Sequence, residues 1–304
     1  MVVGVLTAAN ILRMGLDIAH ISRYKQRRLS KPTKYRKFKS HYGVHPLHAA
    51  RVWRDLLTTT IPAARINETD KSIYAFFAAL NLVKVHATED IRDDFIGDHL
   101  HLNEMRDMAW DTVMRIAALK ALKIVWPQPH EWTTTFVISI DGTHCLINEP
   151  RDPVLKKNEE WHSHKHHKAG LNYEIAVALF ESKIVHAKSG DPASTHDMTV
   201  FRMELKQKIP PGKRIVADKS YDARAESHLL STYNQFDTEA VKEFKRRARA
   251  RHETINSKLK NFKCLDNKFR HGVVRAQQCF DCCIVLLQHA VEDTGPCGEP
   301  LFDV

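Results

Sequence analysis

The hydrophobic pattern changes its period at Pro127-Gln128-Pro129, and that switch limits the folds open to this chain more than any other feature. Before it, apolar residues recur at helical spacing. Residues 46–57 place Ala49, Val52, Trp53, Leu56 and Leu57 on one face, and residues 71–85 carry Tyr74, Phe77, Leu80 and Leu82. After it, the apolar runs become short and rich in β-branched residues. Residues 133–140, 145–148, 172–180 and 183–187 read as strands, the last two as a hairpin turning at Glu181-Ser182. Met198, Phe201 and Leu205 make 196–207 a helix, Pro210-Pro211-Gly212 breaks the chain, and 214–217 is a further strand. Residues 223–230, 238–263 and 275–292 are expected to be helical.

Strand, strand, strand, helix, strand, helices is the element order of a ribonuclease-H-like α/β fold, a mixed sheet flanked by helices. An all-helical domain over residues 1–130 is expected to precede a catalytic domain over 131–292, with 293–304 as a tail. Within the helical part, residues 88–96 open with a threonine cap and an acidic first turn, which suit a helix N-terminus. Gly97-Asp98 then makes a turn before a helix over 102–122. This order fits a helix-turn-helix DNA-binding region or an ordinary αα-hairpin. Its second helix offers only Arg106, Arg115, Lys120 and Lys123 as a DNA-reading face.

Charge narrows the partners. Of 304 residues, 46 are Lys or Arg and 36 are Asp or Glu, a balance of +10 that favours a polyanion. The cations cluster in 23–39, with Lys25, Arg27, Arg28, Lys31, Lys34, Arg36 and Lys37, and again in 241–263. There is no run of about eighteen apolar residues, so no membrane span is expected. The apolar start lacks the positive region and cleavage pattern of a signal peptide. Six irregularly spaced cysteines suit reduced thiols in an intracellular protein, nuclear for a eukaryotic source and cytoplasmic otherwise.

Three acidic residues carry the chemistry. Asp141 follows the apolar run 133–140, Asp218 follows 214–217, and Glu253 sits in the basic stretch Arg249-Ala250-Arg251-His252-Glu253. In a ribonuclease-H-like sheet the two aspartates would end neighbouring strands, and Glu253 would project from a helix packed on that sheet. Arg249, Glu253, Asn256 and Lys260 share one face of that helix, at spacings of four, three and four. A lone aspartate at a strand end ordinarily closes a turn. Three carboxylates in such contexts suit hard divalent cations, which take oxygen ligands. Two such ions can activate an attacking oxygen and stabilise the leaving one at phosphorus.

The segments Asp141-Gly142-Thr143-His144, Gly190-Asp191-Pro192-Ala193-Ser194-Thr195-His196-Asp197, Ala217-Asp218-Lys219-Ser220-Tyr221 and Arg249-Ala250-Arg251-His252-Glu253 resemble the DDE endonuclease domain of Harbinger-type transposases. The resemblance runs from about Phe38 to the C-terminus. It implies that Asp141, Asp218 and Glu253 are catalytic and hold two Mg²⁺ or Mn²⁺ ions. It also implies cleavage at transposon ends and attack of a 3′-hydroxyl on target DNA. A Myb-like DNA-binding partner protein and a homo-oligomer assembled on DNA are further implications. Ala193 and Ser220 stand where the family commonly has glycine, which a backbone at negative φ tolerates.

Around the three carboxylates, Lys219, Tyr221, Arg249, Arg251, Asn256 and Lys260 are expected to touch the DNA backbone. His144, His196 and Asp197 are candidate auxiliary residues. Trp161-His162-Ser163-His164-Lys165-His166-His167-Lys168 reads as a cationic loop, because its histidines lack the paired spacing of a structural zinc site. Cys279 and Cys282 have no second cysteine pair at a suitable distance and are expected to pack inside the last helix. A domesticated transposase serving as a DNA-binding scaffold, and another ribonuclease-H-like nuclease, are the alternative readings.

Overall fold

The computed structural model describes residues 6–67, 69–87, 102–128, 135–150, 158–163, 165–218, 220–221, 229–231 and 236–294. The chain divides into two compact units. One comprises residues 1–123, 259–267 and 274–290, the other 124–258, 268–273 and 291–304. The fold is mixed α/β, a mixed sheet with flanking helices and a helical N-terminal region, as the element order predicts.

The first unit is built from α1 (Ala8–Ile18), α2 (Arg23–Arg28), α3 (Lys31–Tyr42), α4 (Pro46–Thr58), α5 (Asp70–Val85), α6 (Leu102–Ala118) and α7 (Lys120–Lys123). Hydroxyl caps set the helix starts. Thr7, Ser22 and Ser30 each accept a backbone N–H from the first turn, and Thr69 with Ser72 forms a capping box on α5. Gly43 closes α3 at φ 78°, a conformation that glycine adopts without a Cβ penalty. The expected helix over 88–96, and with it the first half of the helix-turn-helix candidate, lies outside the described residues.

Gly15 lets α1 approach the aromatic core closely. Tyr42 donates to the Gly15 carbonyl at 2.7 Å, and a Cβ on Gly15 would lie 2.5 Å from Phe38 and 2.9 Å from both Phe77 and Tyr42. The neighbours are buried rings held by the rest of the core, so they have little room to yield. Gly15→Val is expected to destabilise this unit by about 1–3 kcal/mol through overpacking, read as a lower midpoint in urea unfolding.

The last long helix of the chain, α13 (Val273–Thr294), joins this unit over residues 274–290. Its run Cys279, Phe280, Cys282, Cys283, Ile284, Val285 and Leu286 is buried on all sides, so it packs as a core helix. Lys120 reaches Asp281 at 2.6 Å, and Asp55 receives both Lys123 at 2.7 Å and His289 at 3.1 Å. The five described cysteines are buried thiols outside any disulfide, and Cys264 meets Cys283 at 3.7 Å.

The second unit holds the sheet. Its elements are β1 (Phe136–Leu146), α8 (Asn158–Trp161), β2 (His162–Ser163), β3 (Lys168–Ala178), β4 (Ile184–Ala187), β5 (Asp191–Pro192), α9 (Asp197–Met203), α10 (Leu205–Lys208), β6 (Arg214–Ala217), β7 (Leu229–Ser231) and most of α11 (Glu239–Lys260). The helix α12 (Lys263–Asp266) falls to the first unit. Strand order is β2-β3-β1-β6-β7, with β4 and β5 also paired to β3. β1 runs antiparallel to β3 and parallel to β6, and β6 parallel to β7. The predicted hairpin is present as β3 and β4.

Two expectations about strands change. Residues 136–146 form one continuous strand, because β3 pairs with β1 along its length, from Ile138↔Ala178 to Leu146↔Gly170. Asp141 therefore lies within β1 and does not end it. Leu229–Ser231, expected as the end of a helix, is instead strand β7 beside β6, and residues 222–228 lie outside the described residues. The helix expected over 196–207 breaks at Glu204 (φ −137°) into α9 and α10.

Candidate active site

Side chains alternate along β1, and the alternation separates the site from the core. Ile138 and Ile140 enter the apolar cluster with Ala176, Phe201, Ile215 and Tyr221. Ser139 and Asp141 face the other side of the sheet, toward α11. There Ser139 Oγ lies 3.2 Å from His252 Nδ1, and Asn256 Nδ2 donates to Asp141 Oδ2 at 2.9 Å. His252 and Asn256 are four residues apart, so one stripe of α11 follows β1 for two alternate residues. Burial holds His252 neutral, its pKa pushed down to about 3.

Parallel pairing brings Asp218 to Asp141. The register between β1 and β6 ends at Ile140↔Ala217, so the two aspartates are the next residues on neighbouring strands. Burial raises the Asp141 carboxyl to about 7, and the charges of Asp218 and then Asp197 push it the same way. The Gly142 N–H, which donates to Asp141 Oδ1 at 2.9 Å, and the nearby Lys165 act in the opposite direction.

Asp197, the first residue of α9, sits above Gly142. Asn172 Nδ2 donates to Asp197 Oδ1 at 2.8 Å and to the Thr195 carbonyl at 3.3 Å. A Cβ on Gly142 would stand 2.7 Å from Asp197 Oδ1 and 3.1 Å from Asn172 Oδ1. Gly142 points to the Ile140 face of β1, opposite to Asp141, and makes room there for the Asp197 carboxylate. Gly142→Ala is expected to displace Asp197 and break its hydrogen bond with Asn172, read as a lower midpoint in urea unfolding. Next along β3, Glu174 is buried and its carboxyl is raised to about 8, chiefly by burial. Tyr221 donates to Glu174 Oε2 at 3.4 Å, and His186 Nε2 lies 3.7 Å from Oε1.

The other expected residues divide sharply. Glu253 is on α11 but exposed, its Oε1 held by Arg249 Nε at 2.8 Å, and Asn256 is the α11 side chain bonded to Asp141. Asn256, expected on DNA, faces the carboxylates because it lies four residues beyond His252. Tyr221 and Arg251, also expected on DNA, are buried at 1% and 0% exposure. Tyr221 packs in the apolar core of the sheet, and Arg251 donates to the Glu181 carbonyl at the β3–β4 turn. Neither presents a charge or hydroxyl to a phosphate. Lys260 is half-buried and donates to the Leu265 carbonyl at 3.0 Å, which ties the end of α11 to α12. Arg249 is exposed, and Lys219 lies outside the described residues.

Among the auxiliary candidates, Asp197 lies on the Gly142 face of β1, near enough for its charge to raise Asp141. His144 Nδ1 instead meets Ser163 Oγ at 2.9 Å, and exposed His196 sits at the N-cap of α9 without a side-chain cap bond. Of the histidine loop, His144 and His166 rings lie 6.0 Å apart, and His162 and His167 rings 6.2 Å apart. Ala193 is not among the residues at positive φ, so its position does not demand glycine.

Asn172 and Glu174 escaped the sequence reading. Their signal is two polar side chains in Leu171-Asn172-Tyr173-Glu174-Ile175-Ala176-Val177, a strand buried along its length. Such groups persist in a core only when bonded or functional.

The oxygen donors suit a hard divalent ion. Among the described residues no three His, Cys, Asp or Glu side chains gather into a metal-binding group. Asp141 and Asp218 nevertheless adjoin, and Asn256, bonded to Asp141 through its amide nitrogen, has a buried Oδ1 without a hydrogen-bond partner. Two carboxylates with an amide oxygen is a donor set that Mg²⁺ or Mn²⁺ accepts. A cation there would also relieve the mutual repulsion that raises Asp141. No helix among the described residues is long and apolar enough to cross a membrane. No curated protein and no solved structure matches the chain. Residues 140–288, from the residue before Asp141 to near the end of α13, match the family model of the DDE superfamily endonuclease.

Proposed function

We propose that this chain is a transposase-type DNA endonuclease that cleaves phosphodiesters at transposon ends and joins 3′-hydroxyls to target DNA. The observation that carries the reading is the adjacency of Asp141 and Asp218 at the end of the β1–β6 register, inside the region matched by the endonuclease family. Asp141 and Asp218 would hold Mg²⁺ or Mn²⁺, with Asn256 orienting Asp141 through its amide N–H. Bound there, the ions would supply an activated oxygen nucleophile and charge neutralisation at phosphorus.

Glu253 enters the same proposal as the third ligand. It lies one turn before Asn256 on α11, and its partner Arg249 is an exposed ion pair. Such pairs contribute about 0–1 kcal/mol, so a cation competes easily for the carboxylate. Released Arg249 is then a phosphate contact on the same helix face. Two ions, nuclear action, a Harbinger-type lineage and assembly of several copies on DNA complete the proposal.

The test uses purified full chain, supercoiled plasmid and Mg²⁺ or Mn²⁺. Wild type is expected to nick the plasmid, and Asp218→Ala is expected to leave only background. Equal nicking by both proteins would place the chemistry elsewhere. A chain with no nicking but tight DNA binding would favour the scaffold reading.

A further inference from the structure

A second site lies in the N-terminal helical unit, in residues that the proposed chemistry does not use. An open cavity of about 410 Å³ between α1, α2 and α3 is lined by Leu12 and Arg13 of α1, Arg23, Gln26 and Arg27 of α2, and Lys34 of α3. The spacing builds it: Arg23, Gln26 and Arg27 stand three and four residues apart, so the short helix α2 turns one face into the concavity. Gln26 fixes that face. It is buried, and its amide nitrogen donates to Asp17 Oδ1 at 2.8 Å and to the Ile21 carbonyl at 2.7 Å.

Four cations therefore line one concavity. Arg23 has Asp17 at 3.7 Å, and among the described residues Arg13, Arg27 and Lys34 meet no carboxylate. The surrounding segment, residues 23–39, contains nine Lys or Arg and no Asp or Glu. Its charge of +9 compares with +10 for the whole chain, so most of the excess is spent in seventeen residues. Like charges lining one cavity repel, and small ions only screen them. At roughly 30 Å³ per water, the space is far larger than a lone oxyanion requires. Beside it, exposed Tyr24 carries the Arg28 guanidinium over its ring at 4.2 Å, a platform found where nucleic acids bind.

We propose that this cavity binds the phosphodiester backbone of duplex DNA, as a second contact separate from the carboxylate site. The proposal rests on the reading of the chain as a DNA enzyme. Its contacts are point charges and guanidinium forks on phosphate, so they position the duplex without reading bases. A DNA-gripping part of the helical unit is then α1–α3.

The experiment measures affinity of the full chain for a random-sequence labelled duplex in EDTA, across a salt series. Each phosphate contact removed lowers the slope of log affinity against log salt by about 0.9. The triple variant Arg13→Ser, Arg27→Ser, Lys34→Ser is expected to lose about 2–3 from that slope and roughly 10–100-fold in affinity. Arg13→Lys with Arg27→Lys is expected to keep the wild-type slope. Arg27→Gln alone, on an exposed helix face, is expected to lose about 0.9, and it decides the matter should the triple variant not fold. Wild-type slopes in both neutralised variants overturn the proposal. Wild-type DNA binding with lost binding of polyglutamate overturns it too, and assigns the cavity to an acidic protein. The assay in EDTA reads binding without cleavage, so failed nicking and failed binding remain separate results.

Discussion

Asp141→Asn is expected to abolish nicking while leaving the protein folded, and to change how stability depends on pH. Losing metal-assisted charge stabilisation of several kcal/mol, about 4, corresponds to roughly 10³-fold in rate. The pH effect follows from linkage. Asp141 is raised to about 7 from its ordinary 3.8, so the folded protein holds this proton more tightly than the unfolded chain does. The resulting stability is complete below pH 3.8 and is lost as pH rises to about 7, levelling above that. In metal-free buffer, wild type minus Asp141→Asn is therefore expected to show a Tm difference that grows more unfavourable to wild type from pH 4 to pH 7. Mg²⁺ at pH 8 is expected to restore wild-type Tm and leave the variant unmoved. A pH-independent difference between the two proteins contradicts the assigned environment of Asp141.

The second large effect falls on a residue whose sequence context suggests DNA. Arg251→Ala is expected to destabilise the fold by about 3 kcal/mol, because a wholly buried guanidinium and its bond to the Glu181 carbonyl are both removed. For a unit of this size that is a Tm fall of roughly 6–12 °C. DNA affinity of the folded fraction and its salt slope are expected to stay at wild-type values. Arg249→Ala, exposed on the same helix, is expected to give the reverse: little change in Tm and a lower salt slope.

Arg249 and Arg251 show where the sequence was legible and where it was not. The helix over 238–263 follows from composition, and α11 is found at Glu239–Lys260. Which of its cations turn inward depends on the packing of α11 against the sheet, and Ser139, Asp141 and Glu181 set that packing from 113, 115 and 70 residues away in sequence. Asp141 and Asp218 were legible because each follows an apolar run that ends a parallel register. The contact of Asn256 with Asp141 was not, since a three-residue offset from Glu253 puts both on one broad helix face. β7 was hidden because its three residues, Leu229–Ser231, are too short to show a period of two. The strand β1 read as two pieces because Gly142-Thr143 interrupts its apolar run, and the unbroken ladder to β3 was required to join them.

The central claim, a cation site built on Asp141 and Asp218, is tested most directly by titrating the protein with Mn²⁺ and counting bound ions from the free-ion electron paramagnetic resonance signal at pH 7.5. Wild type is expected to take up Mn²⁺ in competition with Mg²⁺, and the Asp141→Asn, Asp218→Asn double variant to lose that uptake while keeping its far-ultraviolet circular dichroism. The same stoichiometry and affinity in both proteins would contradict the account.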